Sequence, residues 1–413
     1  MEPVIVEWGS LLLRWTHVIV GMAWIGSSFH FMHLDASLRE RQDIPKGSGG
    51  VAWEVHGGGF YEIRKYLVAP TRLPDALIWH KWQSYSTWVS GFFLLCWVYY
   101  GQSRLYLIDP SIMQLTPLSA AAIGIGGLAA GWVIYDLLCK SPLGKSELAL
   151  AGVGFAYVVL MAWAFQQVFS GRGAFNHTGA LMATMMTGNV FFIIIPNQRK
   201  VIAALVAGQT PDPRFGRQAK QRSTHNNYLT LPVVFLMVSN HYPLTWATRH
   251  AWIIVALVLV AGALIRHYYN VSHAGGGYPW WTWLAAGLCL LAAMWISAAS
   301  SPGAREMLGL GAQPVAAADQ PPPVSSDAER PLFAQAAQVI LTRCSMCHAA
   351  EPQWEGIGIA PKGVLLDSVA EIMRQADAIR VQAVLTHAMP PNNITEITGT
   401  ERSAIAAWLT ARR

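Results

Sequence analysis

The feature that most constrains this chain is a succession of apolar runs, each near the ~20 residues that a helix needs to cross a hydrocarbon layer about 30 Å thick. Eight spans are predicted, at roughly 8–34, 82–101, 117–138, 148–169, 176–195, 228–241, 249–272 and 280–299, the sixth of them short. In lipid every backbone N–H and C=O must be satisfied within the element, so runs of this length fold as helices. Charged residues make up only 13% of the 413 residues, against 53% hydrophobic, which excludes a soluble enzyme. The formal charge of +6 comes from Lys and Arg gathered in particular loops, with no basic stripe, so nucleic acid is not an expected partner. The expected fold class is all-α: a polytopic membrane bundle followed by a small helical domain.

Loop charge predicts the orientation. One set of loops holds Arg39, Arg41, Lys46, Arg64, Lys65, Arg72, Lys81, Lys140, Lys145, Arg199, Lys200, Arg214, Arg217, Lys220 and Arg222, whereas the other holds Arg104, Arg172 and Arg249. The basic set belongs in the cytoplasm, and with about eight spans both termini then face outside. The first run lacks a basic start and a cleavage site, so no cleavable signal peptide is expected. The bundle is assigned to 1–300. A Pro/Ala-rich linker over 301–330 includes Gln320-Pro321-Pro322-Pro323, and a second domain covers 331–413 with helical patterning around 332–343, 367–387 and 400–411. At about 80 residues such a domain is marginal without a covalent or metal staple. Cys96, Cys139 and Cys289, in or near apolar runs, read as buried free thiols.

Cys344-Ser345-Met346-Cys347-His348 supplies the staple. In a Cys-x-x-Cys-His run two thiols can add to haem vinyl groups while the histidine ligates iron. A dithiol redox or zinc site is the other reading of the pair, but zinc would want a second cysteine pair. Met389, in His387-Ala388-Met389-Pro390-Pro391, can present a thioether as sixth ligand, with His387 as its rival. The metal ligands expected are therefore His348 and Met389. Over 331–413 the chain resembles the small class I cytochrome c domains, which implies an electron carrier, covalent haem c, and a location outside the cytoplasm.

Ionisable groups within a membrane are costly and by default functional. By depth, His17, His177, His241 and His250 fall toward the outer face, and His30, His33, His80, His225, His267 and His273 toward the inner one. Among these, His17, His30, His33, His241, His250 and His267 are candidate ligands for one or two haem b groups between the helices. His17 and His30 lie about 140° apart on an ideal helix, so a straight first helix would not offer both to one seam.

Two polar stretches lie on the cytoplasmic side. The first is the flexible glycine run of 53–66, with Glu62 and Arg64; it lacks the Gly-Lys-Ser/Thr of a phosphate-binding loop. The second is Thr224, His225, Asn226 and Asn227 at the mouth of the sixth helix, with Asn197, Gln198 and Arg199 just after the fifth. Amides, a hydroxyl and a histidine suit a planar, polar, anionic heterocycle. Arg64 or Arg199 is expected to meet the anion, Thr224, Asn226 and Asn227 the heterocycle edges, and His225, with Glu62 as rival, to remove a proton.

Arg14-Trp15-Thr16-His17 through Trp24-Ile25-Gly26, Gly57-Gly58-Gly59-Phe60-Tyr61, His225-Asn226-Asn227-Tyr228 and Ser239-Asn240-His241-Tyr242-Pro243 together resemble the bacterial membrane-integral urate oxidases fused to a cytochrome c. That resemblance covers nearly the whole chain. It implies an inner-membrane oxidoreductase with its cytochrome domain in the periplasm. The enzyme would convert urate to 5-hydroxyisourate and send electrons through cytochrome c to a terminal oxidase, without hydrogen peroxide. A quinol:cytochrome c oxidoreductase and a non-enzymatic membrane cytochrome are the alternatives on the residues alone.

Overall fold

Eight long helices form the first three quarters of the computed structural model: α1 (Pro3–Ser37), α2 (Trp82–Leu95, continued by a π segment Cys96–Tyr100), α3 (Pro117–Lys140), α4 (Glu147–Gln166), α5 (Gly171–Val206), α6 (Pro213–Val238), α7 (Ala251–His273) and α8 (Trp281–Ala299). The structure describes residues 3–40, 48–66, 77–109, 112–246, 248–299, 329–354, 357, 360–385, 389–390 and 393–412. Five helices, α3, α4, α5, α7 and α8, are long and apolar enough to cross a membrane by length and composition. The other three expected spans are helical too, but α2 is 14 residues long before its π segment, and α6 opens with Arg214, Arg217, Lys220 and Arg222.

α5 is the central helix: 61% of its most apolar stretch is buried, against 17% for α8. It packs against α3, α4 and α6. The outward sides of α3, α4 and α8 leave Leu118, Leu148 and Leu284 exposed, as helices facing lipid would. α6 and α7 approach closely because Gly262 has no side chain: a Cβ there would lie 2.7 Å from Cδ of Pro232.

Three local expectations are corrected. The fifth helix runs on to Val206 through a π segment at Asn189–Ile194, so Asn197, Gln198 and Arg199 sit on helix and not after it. The widened turn lets the chain continue past Pro196, which in a regular helix would lose a hydrogen bond. The sixth helix begins at Pro213, capped by the Asp212 side chain, so Thr224–Asn227 lie in its middle and not at its mouth. The glycine run is no flexible loop. β1 (Ser48–His56) and β2 (Gly59–Tyr66) pair antiparallel, closed by Gly57 and Gly58 at φ 58° and 81°. A two-residue turn of this kind requires positive φ at both positions, which glycine adopts without strain.

The tail contains α9 (Glu329–Arg343), α10 (Val369–Arg374) and α11 (Gly399–Ala411). α9 packs on α11 through Phe333 and Trp408, whose rings meet edge-on at 5.2 Å. Ile340, Ile372, Ile405 and Trp408 are fully buried, a small core of its own. The linker expected over 301–330 lies outside the described residues except for its last two, which begin α9. The tail rests against the bundle where the short helix Pro243–Trp246 meets Pro361–Gly363.

Candidate functional site

The residues of the tail motif open on one large cavity. Within Cys344–His348 the amides of Cys347 and His348 both donate to the Cys344 carbonyl, at 3.2 and 2.9 Å, a tight turn following α9. Cys344, Cys347, His348 and Met389 all line a cavity of about 1790 Å³. That exceeds the ~300–1,000 Å³ of ordinary ligand pockets and leaves room for a macrocycle. Met389 is held on its own backbone, donating to the Gln382 carbonyl at 2.9 Å and accepting from Arg402 at 2.9 Å. His348 Nδ1 lies 3.0 Å from the Val364 carbonyl, which can only accept; Nδ1 therefore carries the proton and Nε2 keeps its lone pair for a metal. Burial holds the His348 pKa below its usual value and pushes the Cys344 thiol up to about 11. A neutral imidazole, two free thiols and a thioether on one cavity fit a covalent c-type haem. His387, the rival ligand, lies outside the described residues.

The other wall of that cavity is the bundle. Tyr106, Arg172, Trp246 and Arg249 line it, so the tail docks on the helix ends that carry few cations. Arg172 and Arg249 are two of the three from the sparse loop set.

At the opposite end the helices enclose a buried polar network. Arg222 Nη2 donates to Asp136 Oδ1 at 2.7 Å, and Nη1 to Asn189 Oδ1 at 3.0 Å. Asn189 Nδ2 donates to the Tyr135 hydroxyl and to Asn226 Oδ1, each at 2.9 Å, and Asn226 Nδ2 donates to the Met186 carbonyl at 2.9 Å. The Tyr135 hydroxyl lies 2.7 Å from His225 Nδ1. Lys140 caps the second oxygen of Asp136 at 2.5 Å. A buried cation and carboxylate are tolerated where further hydrogen bonds, here from Lys140 and to Asn189, support the pair.

A second cluster lies across α6. Arg266 Nε donates to Asn227 Oδ1 at 3.2 Å, Arg266 Nη2 to Asn270 Oδ1 at 3.3 Å, and Asn270 Nδ2 to Asn227 Oδ1 at 3.1 Å. The guanidinium lies 4.0 Å from the Phe29 ring centroid.

The expected substrate residues are thus divided. His225 and Asn226 turn toward α3 and α5, Asn227 turns toward α7, and Thr224 is half-buried beside them. Glu62 and Arg64 pair with each other at 2.8 Å on β2, and Arg199 lies over the Trp79 ring at 5.9 Å, so none of these three is seen joining the network. Asp136, Asn189, Arg222, Arg266 and Asn270 were not anticipated. Asp136, Asn189, Arg266 and Asn270 stand in predicted apolar spans, and the cost of intramembrane polar groups, applied to these four as it was to histidines, would have found them.

For haem b, the candidate histidines have other company. His17 Nδ1 lies 3.1 Å from both the Thr87 carbonyl and Ser90 Oγ; His30 faces Glu54 at 3.8 Å. His250 Nε2 accepts from Arg249 at 3.0 Å, and His267 Nδ1 lies 3.4 Å from the Tyr228 hydroxyl. His33 meets His273 edge-on at 4.3 Å between ring centroids, too close to admit a macrocycle. The side chain of His241 lies outside the described residues. Among the described residues these contacts build no facing pair of imidazoles, and no step is derived through a second haem.

No curated protein and no solved structure matches the chain. The family model described as urate oxidase N-terminal does match, over residues 3–297, and on that span, well over half of its length, the chain belongs to this family.

Proposed function

We propose that the protein is a membrane oxidoreductase that converts urate to 5-hydroxyisourate and delivers the electrons, through a c-type haem on its tail, to a soluble or membrane cytochrome c and a terminal oxidase. Urate and water give 5-hydroxyisourate, two protons and two electrons; a C–O bond forms at the ring and no oxygen is reduced to peroxide. Family membership supports urate as the substrate. The observation that carries the electron route is the shared cavity, with Cys344, Cys347, His348 and Met389 on one wall and Tyr106, Arg172, Trp246 and Arg249 on the other. When bound there, haem supplies a reversible one-electron acceptor.

The chain's own residues do the rest. Cys344 and Cys347 would tether the group, and the Val364 carbonyl fixes the tautomer and orientation of His348, which would ligate it. Gln382 and Arg402 hold Met389 on the cavity wall. His225, joined to Tyr135, is the candidate base for the proton that urate loses. The sparse-cation face against which the tail docks is the outer face on the loop-charge count, which supports a tail in the periplasm of a bacterial inner membrane.

Urate added anaerobically to the pure protein should reduce the c-type absorbance. Replacing both Cys344 and Cys347 by Ala should abolish covalent haem staining and this reduction together. Reduction by a quinol with none by urate would replace this function with quinol oxidation.

A further inference from the structure

Two arginines are buried in the polar half of the bundle, and they differ in one respect. Arg222, 3% exposed, has the carboxylate of Asp136 at 2.7 Å. Arg266, 6% exposed, has neutral partners: the amide oxygens of Asn227 and Asn270 and the faces of Phe29 and Tyr269, at 4.0 and 5.9 Å. No carboxylate pairs with it among the described residues. Removing a guanidinium from water without a counter-ion costs several kcal/mol, and amide dipoles offset that only in part. Beside it, Asn227 is fully buried and its Nδ2 has no hydrogen-bond partner among the described residues. A cation lacking an anion and an amide N–H lacking an acceptor thus stand together, next to an aromatic face.

The geometry points to Arg266, Asn227 and Asn270 as the binding site for a small planar anion with acceptors along its edge, the urate monoanion, with Phe29 and Tyr269 on its flank. This deepens the proposed function and rests on it for the ligand's identity. An anion on Arg266 supplies the missing counter-charge, and the same molecule's carbonyl or ring nitrogen accepts from Asn227 Nδ2. Asn227 lies two positions beyond His225 on α6, but its side chain turns to α7 whereas His225 turns to Tyr135 on α3. The residues expected to meet the anion, Arg64 and Arg199, have other partners: Arg64 is paired with Glu62 and Arg199 lies over Trp79.

Equilibrium dialysis of labelled urate against the full-length protein in detergent, with urate-dependent haem reduction recorded on the same samples, tests this. Arg266→Gln should weaken binding at least about tenfold, the size of a lost charge-assisted hydrogen bond, and raise KM more than it lowers kcat. Arg266→Lys should retain part of the affinity. Asn227→Asp is the sharper variant, because it gives Arg266 an internal counter-ion: it should keep the fold and covalent haem yet bind urate at least about tenfold more weakly. Wild-type affinity in Arg266→Gln or Asn227→Asp, failure of Asn227→Asp to fold, or no binding by the wild type would each overturn the site. Arg266-dependent binding without haem reduction would leave the site standing and overturn the function instead.

Discussion

At the scale of single residues, the tail shows how a short motif is completed by contacts far away in sequence. His348 is oriented by Val364, and Met389 by Gln382 and Arg402. Met389→Ala should remove the visible methionine–iron band while leaving the covalent haem stain, since the two thiols are untouched; a retained band would assign the ligand to another residue, His387 first. Glu401 provides a pH test. The Thr398 backbone N–H and then Arg343 hold its carboxyl below the usual glutamate range. A group whose folded pKa is depressed stabilises above its unfolded pKa, about 4.3, and that contribution is lost as pH falls through the folded value. Glu401→Gln should therefore lower the tail's thermal midpoint at pH 7, with the difference from wild type shrinking below about pH 4. An equal difference at pH 3.5 and pH 7 would remove the charge from the explanation.

At the scale of elements, α3, α5 and α6 are joined by Asp136, Asn189, Arg222 and Asn226, whose partners lie 33 to 86 positions away in sequence. Removing one member of a buried pair leaves the other uncompensated, at a cost of about 3–5 kcal/mol, whereas removing both costs less. Asp136→Asn and Arg222→Gln should each lower the detergent-state melting temperature sharply, and the double variant should recover part of the loss. Strict additivity would show that the two do not act as a pair. Five of the helices, α3, α4, α5, α7 and α8, were legible from apolar length alone. True helix ends were not: Asp212 with Pro213 starts α6 a full 15 residues before the predicted 228, and a π segment carries α5 past Pro196 to Val206. Capping and ladder adjustments of this kind are local geometry that hydropathy does not register.

At the scale of the whole molecule, Arg266 and the cavity lie toward opposite ends of α7. Arg249, which lines the cavity, lies just before α7, and Ala251 to Arg266 is 15 residues, about 22 Å of helical rise. In the proposed function substrate would be oxidised at one end and the electrons would leave at the other. Membranes oxidising urate should release no hydrogen peroxide and should stop when the terminal oxidase is inhibited; continued oxidation with peroxide appearing would refute the route. A pyridine haemochrome should give c haem at one per chain, and a b-type component beside it would count the one or two haem b groups expected from the bundle's histidines.

What the sequence by itself determined was what depends on composition along a line, apolar length for the helices above all; loop cations and Cys-x-x-Cys-His set the orientation and the tail group that are proposed. The tertiary structure alone decided which polar residues share an environment. His225, Asn226 and Asn227 are consecutive, yet on a helix successive side chains point about 100° apart, so two of them join Asp136 and Arg222 while the third joins Arg266. Whether a buried cation has its counter-ion is likewise a matter of which helices become neighbours, and no spacing along the chain records it.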